Sequence, residues 1–367
     1  MSDDRALTWS YLLPAGVRYI PAGGPEWWQE HLRTISVPDG ASLPVIWGDT
    51  PLDSWLGDTS AGVVLVNPDV EALGRLRTMR FTHIRRFAVL PRLSDARWFV
   101  PLGSRRLTAA ALQLYTPYRW KARAAHAGVR IAARLGVSPW RQDELIIASS
   151  ERSPVELLLQ DLLGGELAAL AISTGTPGPA RKPALAALDR AGRILAVCKL
   201  AASPLACRLV TNEATCLSAL ARRADLAAHC PRLLADRQIE GGRVIVVEGI
   251  GGRSAGTRLG PLHDQLLSRL GSGPLQSATS SRLFADLRAR AHALTECGVP
   301  TLQLLEWVGR TLEGLVLPRT IVHGDFAPWN LRVCRGTLMA FDWEYGQCDG
   351  LPLLDEIHHL VQVGFLV

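Results

Sequence analysis

The chain has 367 residues, 48% of them apolar and 20% charged, which excludes a disordered or collagen-like polypeptide and leaves room for about two domains, each with its own core. Forty Lys and Arg outweigh 34 Asp and Glu, but only Lys121, Lys182 and Lys199 are lysines, so arginine carries almost all the positive charge. The excess is also local. From Arg75 to Arg134 fourteen cations stand against one acid, Asp95, and the remainder of the chain is net acidic. Seven cysteines form no CxxC pair and no Cys/His cluster, a usage that predicts reduced thiols and a cytoplasmic setting. Met1 to Ile20 includes Asp3 and Asp4 and lacks an apolar core of signal-peptide length, and no uncharged apolar run reaches the roughly 18 residues of a membrane span.

The first 150 residues are rich in Pro, Gly and Trp, with weak periodicity. Gly62 to Val66 reads as a strand that runs into a helix start at Asn67-Pro68-Asp69. Phe81 to Leu90 and Trp98 to Leu102 are further strands, and Tyr118 to Leu135 is a helix that stops at Gly136. A small α/β domain over 1–150 is expected, without a recognisable phosphate loop. From about residue 151 the pattern changes. Glu166 to Thr174, Ala184 to Leu188 and Ile194 to Leu200 read as three strands, the last two joined by a turn at Asp189-Arg190-Ala191-Gly192. A helix follows over Leu209 to Arg222, then a strand at Val244 to Val247, then a glycine-rich connector at Gly249, Gly251 and Gly252. The rest is mainly helical as far as Thr320.

Two short motifs carry chemistry. The first is His323-Gly324-Asp325-Phe326-Ala327-Pro328-Trp329-Asn330; the second, twelve residues further on, is Asp342-Trp343-Glu344-Tyr345. Each polar member sits in or beside an apolar, strand-like context, at the mouth of a core. Phosphoryl transfer needs one carboxylate to orient and deprotonate the attacking hydroxyl, and separate oxygen ligands for the Mg²⁺ on the nucleotide phosphates. Asp325 suits the first task, Asn330 and Asp342 the second.

In these motifs the sequence resembles the aminoglycoside phosphotransferase and choline kinase branch of the protein-kinase-like fold, whose catalytic loop reads His-x-Asp-x-x-x-x-Asn. The resemblance covers about residues 160–360. It implies an α+β, two-lobed kinase-like fold behind the unassigned α/β domain, with a small β-rich N-lobe over 151–248 and a helical C-lobe over 249–367. It further implies Asp325 as catalytic base, Asn330 and Asp342 as Mg²⁺ ligands, and His323 as a residue that stabilises the catalytic loop. The fold also wants a strand lysine and a helix glutamate. Lys199 on the third strand and Glu213 in the following helix stand at those places. The loop after the first strand would cover the phosphates of ATP or GTP through the hydroxyls of Ser173, Thr174 and Thr176 and the backbone of Gly175, though an ordinary hairpin turn would look the same. Glu248 falls at the expected hinge between lobes and reads equally as a plain strand-end charge.

Two departures set limits on the resemblance. Only 25 residues follow Asp342, so the C-lobe is expected to be short where the family shapes its acceptor pocket; sugar, aminoglycoside, choline-like amine and nucleoside acceptors all stay open. Asp355 and Glu356 match either the family's later acidic position or ordinary acids at a helix start, and the adjacent His358 and His359 make a poor metal pair. The second departure is the Arg-rich N-terminal domain. Its helix combines Arg123, Arg130 and Arg134 with Ile131, so it could lie on an anionic membrane surface, hold an anionic ligand, or be a plain solvated face. No nucleic-acid reader motif accompanies the charge. The rival to a small-molecule kinase is a catalytically degenerate, nucleotide-binding regulatory or scaffold protein.

Overall fold

The computed structural model describes residues 4–48, 50, 61–79, 81–114, 120–137, 143–239, 241–296 and 301–366. The chain divides into two compact units, Met1–Ser203 and Pro204–Val367. Both mix strands and helices, as the α+β expectation requires.

Among the described residues the first unit holds nine strands: β1 (Val17–Ala22), β2 (Ala41–Trp47), β3 (Gly62–Val66), β4 (His83–Leu90), β5 (Trp98–Pro101), β6 (Asp143–Ser149), β7 (Ala169–Ser173), β8 (Ala184–Leu188) and β9 (Ile194–Ala201). They lie side by side in the order β1-β2-β3-β6-β4-β5-β7-β8-β9. β1, β2 and β3 are parallel, and α1 (Glu26–Ile35) is the crossover between the first two. All five residues of β3 are buried, which is what a strand covered on both faces demands of Gly-Val-Val-Leu-Val. From β6 onward every pairing is antiparallel.

Polar caps open three helices of this unit. The Asp69 carboxylate accepts the Ala72 N–H at 2.7 Å and opens α2 (Val70–Thr78). α3 (Arg105–Ala111) begins after Ser104, α4 spans Trp120–Leu135, and Ser153 with Glu156 makes a reciprocal capping box for α5 (Pro154–Leu163). Glu156 also takes both arms of the Arg85 guanidinium from β4, at 2.5 Å each, which ties α5 to the sheet.

No gap in the sheet falls near residue 150. β5 pairs with β7 through Trp98↔Ser173 and Phe99↔Ile172, so strands from either side of that position belong to one sheet. The strand expected over Glu166 to Thr174 is shorter at its start, because Gly164–Glu166 closes α5 with a 3-10 turn. The sequence reading passed over α1 and β6, and also β1 and β2, where Pro21 and Pro44 blur the alternation.

The second unit opens with α6 (Pro204–Ala221), earlier than predicted because Pro204 suits a first helical turn. The hairpin β10 (Leu233–Ile239) and β11 (Gly242–Glu248) follows, then β12 (Arg253–Ser254), α7 (Pro261–Leu270), β13 (Leu275–Ser277), α8 (Arg282–Glu296) and α9 (Thr301–Leu312). β14 (Val316–Pro318) pairs with β13. The site is framed by β15 (Thr320–Val322), β16 (Leu331–Cys334), β17 (Thr337–Ala340), β18 (Gln347–Gly350) and α10 (Leu354–Leu366). β12, β16 and β17 form one small sheet, β15 and β18 another. The cysteines at 198, 207, 216, 230, 334 and 348 are free thiols. Among the described residues no helix is long and apolar enough to cross a membrane.

Candidate active site

β15 delivers His323, Gly324 and Asp325 at its end, and the β16–β17 hairpin supplies the other two motif residues. Its register pairs Leu331 with Ala340, so Asn330 and Asp342 both lie just beyond the hairpin's open end. Phe341 N–H donates to the Asn330 carbonyl at 3.0 Å, which extends the ladder to the motif itself. Residues twelve apart in sequence are neighbours here because a two-residue turn folds the chain back.

The loop is built around a neutral imidazole. His323 is fully buried, and that burial lowers its pKa to about 4. The neutral ring is the form its contacts require: Nδ1 accepts the Asp325 backbone N–H at 3.2 Å, while Nε2 faces the Phe341 carbonyl at 3.0 Å and donates to it. Trp343 packs against it, with ring centroids 4.4 Å apart. His323 therefore shapes the loop and is poorly suited to carry protons.

Asp325 is held from two sides. Asn330 Nδ2 donates to its Oδ2 at 2.9 Å and to its carbonyl oxygen at 3.0 Å, and His358 Nε2 from α10 lies 2.9 Å from Oδ1. With its amide nitrogen turned to Asp325, Asn330 leaves Oδ1 as the atom a cation can use. Asp342 adds a carboxylate from a left-handed backbone, φ 69° and ψ 55°, a conformation costing a non-glycine residue about 1 kcal/mol that functional sites tend to retain. An amide oxygen and a carboxylate are hard ligands of the kind Mg²⁺ takes, so the donor set fits that ion.

Three further residues brace the loop. Asp355 is buried on α10, accepts the backbone N–H of His323 at 2.7 Å and of Gly324 at 3.0 Å, and has its pKa raised to about 6 by burial against the opposing pull of those two bonds. The sequence left this residue between a family role and a helix-start charge; the structure gives it the loop. Asn212 of α6 donates to the carbonyls of Glu344 (3.0 Å) and Gly346 (2.9 Å), fixing the segment after Asp342. His359 is buried with its ring nitrogens 3.2 Å from the carbonyls of Phe326 and Thr257. Sequence reading missed Asn212 and weighed the two histidines only as a metal pair, since a helix position facing a distant loop leaves no local signature. Adjacent residues on a helix differ by about 100°, yet His358 and His359 both reach the loop. Among the described residues no cluster of three or more His, Cys, Asp or Glu has metal-site geometry.

Glu213, in the same unit, is fully buried on α6. Glu248 ends β11 in an ion pair with Arg232 at 3.0 Å, the geometry of the strand-end charge.

In the first unit one row of the sheet unites two of the predicted residues. Ser173 pairs with Ala184, and Ala184 with Lys199, so Ser173 and Lys199 share a face two strands apart, roughly 10 Å. Lys199 is half-buried and Thr176 exposed. Thr174 is buried, and its hydroxyl donates to the Ala96 carbonyl at 2.9 Å, which commits that hydrogen to the fold and leaves Ser173, Thr176 and the Gly175 backbone as the donors on offer. Gly175, at φ +77°, is required by close approach: a Cβ there would lie 2.6 Å from the Lys182 carbonyl oxygen.

The second unit thus brings together a His-Gly-Asp loop, an Asn that grips the Asp, and a second Asp at the end of the following hairpin. Residues 189–360 match the model of the phosphotransferase enzyme family, and over them the chain is similar to that family, as the loop's wording led us to expect. No curated protein matches the chain at a significant level. Similar solved structures include a thermostable mutant of aminoglycoside phosphotransferase APH(4)-Ia in a ternary complex with ADP and hygromycin B (15% identity, 58% of this chain and 78% of that one, TM-score 0.40). Others are the GDP complex of aminoglycoside 2'-phosphotransferase-IIIa (12%, 53% and 73%, 0.35) and a protein from Thermobifida fusca assigned as a fructosamine-3-kinase (16%, 57% and 81%, 0.38). At TM-scores under 0.5 none of these likenesses bears on the activity.

Proposed function

We propose that this protein transfers the γ-phosphoryl group of ATP, or of GTP, to a hydroxyl of a small molecule, with Asp325 as base. The observation that carries the reading is the Asp325 carboxylate, fixed through Oδ2 by Asn330 at the end of a loop matched to a phosphotransferase family. As the acceptor oxygen bonds to the γ-phosphorus, the bond to the β,γ-bridging oxygen breaks, ADP leaves, and the acceptor's proton passes to Asp325. Asn330 and Asp342 would hold Mg²⁺, which supplies charge neutralisation on the phosphates when bound. In the first unit Lys199 would meet the α/β-phosphates, with Ser173, Thr176 and the Gly175 backbone as further donors. Glu213 would keep the supporting role that the resemblance gives it, and Glu248, paired with Arg232, is left as a strand-end charge.

The test is transfer from [γ-³²P]ATP with Mg²⁺ to a panel of hygromycin B, choline, a fructosamine and uridine, with release of phosphate to water followed in parallel. Label in any acceptor supports the reading. Nucleotide binding with no transfer and no hydrolysis would favour the scaffold.

A second reading concerns α4. Its solvent side carries Lys121, Arg123 and Arg134 beside Ile131 and Leu135, which are 57 and 66% exposed, and no acid lies within the helix. That combination suits an anionic membrane surface.

A further inference from the structure

The first two turns of α10 meet the catalytic loop residue by residue. Asp355 takes the N–H of His323 and Gly324, His358 meets the side chain of Asp325, and His359 meets the carbonyl of Phe326. Positions i, i+3 and i+4 share one helix face, which explains how three side chains address four consecutive loop residues. Two of these side chains, Asp355 and His359, fix backbone. The third, His358, meets the carboxylate that the proposed chemistry depends on.

The Asp325 backbone is fixed by its N–H bond to His323, but the carboxylate can still rotate about Cβ–Cγ. Asn330 pins Oδ2 at 2.9 Å; one pinned oxygen leaves the plane of the group undefined. His358 Nε2 on Oδ1, also at 2.9 Å, is the second point that defines it. A carboxylate only accepts hydrogen bonds, so Nε2 carries the proton, and Oδ1 keeps a second lone pair for an acceptor hydroxyl. Both side chains are about three-quarters buried, at 29 and 26% exposure, so the contact stands at the edge of solvent where an acceptor can reach it.

We infer that His358 is a positioning residue for phosphoryl transfer: by holding Oδ1 it sets the plane of the Asp325 carboxylate, so that the remaining lone pair points to the incoming hydroxyl. The inference rests on the phosphotransferase reading above. Its energetic logic is orientation. Misplacement of a reacting group by about 1 Å can cost about a hundredfold in rate, and loss of one of two restraints allows a displacement of that order.

The experiment compares His358→Leu with His358→Gln, whose Nε2 extends about as far as the ring Nε2. With MgATP and whichever of hygromycin B, choline, a fructosamine, uridine or water is turned over, His358→Leu is expected to lose roughly tenfold or more in kcat while KM for ATP stays within about twofold. His358→Gln recovers most of the loss. Full activity in His358→Leu overturns the inference, as does equal impairment of both variants with equally lowered melting temperatures, which would mark a purely structural role. A second readout needs no turnover. In protein labelled with ¹⁵N-histidine, the ring signals of His358, assigned by their loss in His358→Gln, should move in Asp325→Asn. Signals indifferent to residue 325 in an active enzyme would overturn the positioning role alone. A wild-type protein that turns over no probe, with those signals still coupled, would overturn the phosphotransferase reading and the role with it.

Discussion

Asp355 grips the backbone N–H of His323 at 2.7 Å, and the two buried side chains respond to pH in opposite directions. His323 has its pKa lowered from 6.5 to about 4, so the stability it contributes is present above 6.5 and is lost as pH falls toward 4. Asp355 has its pKa raised from 3.8 to about 6, so its contribution is present below 3.8 and is lost as pH rises through 6. Between pH 7 and 5 the two changes largely offset each other. Asp355→Asn removes one of them, and its unfolding free energy should fall between pH 7 and 5 by roughly 1 kcal/mol more than that of the wild type. Urea titrations of both proteins at the two pH values measure this; parallel slopes would show that Asp355 is ionised in the fold.

Asp325→Asn should abolish transfer while MgATP binding, followed by its melting shift, stays within a few-fold of wild type. The amide keeps the size of the side chain and an oxygen for Asn330 Nδ2, but it cannot take the acceptor's proton. Undiminished turnover would remove Asp325 from the role of base.

Lys199→Ala should weaken MgATP binding by about tenfold or more with little change in melting temperature, because the side chain is only half-buried on β9. Calorimetric titration of both proteins decides it. Equal affinities would mean that the lysine has no part in holding phosphates.

Gly324→Ala tests the loop's geometry. Gly324 sits at φ +77°, and a Cβ there would lie 2.4 Å from the Tyr345 carbonyl oxygen, so the substitution combines a left-handed penalty with a backbone clash. A destabilisation of at least about 2 kcal/mol, or roughly 5 °C in Tm, is expected. Calorimetry that finds the variant as stable as wild type would show that the loop relaxes freely.

The outward face of α4 predicts sedimentation with phosphatidylserine vesicles at low salt, weakened as salt rises, and reduced by Arg123→Glu with Arg134→Glu. No sedimentation even at low salt would remove the membrane reading.

The candidate site residues were legible in the sequence because they are local. His323, Asp325 and Asn330 fall within eight residues, and Asp342 stands one short hairpin away. What supports them was legible only in part, through Asp355 as one of two readings. Asp355, His358 and Asn212 act across 30 to 130 residues of sequence, on helices whose own periodicity says nothing of which loop they will meet. The same contrast holds for the fold. β3 and the three strands from Ala169 onward were readable as apolar runs bounded by turn residues, whereas β1 and β2 each carry an internal proline and are defined by parallel pairing to each other. Thr174 shows how residue type alone misleads. A hydroxyl in a loop reads as a ligand donor until its partner, the Ala96 carbonyl, is found 78 residues earlier.

The pairing of β5 with β7 makes the Arg-rich half a partner that the later strands cannot lose cheaply. A protein trimmed to begin at residue 151 would leave β7 as a bare edge, with unpaired amides and carbonyls along Ile172 and Ser173 and the Thr174 hydroxyl without its acceptor. Such a fragment should be insoluble or self-associating even though it retains every residue of the proposed chemistry. The first 150 residues thus shield an edge, and solubility, more than catalysis, is what their removal would cost first.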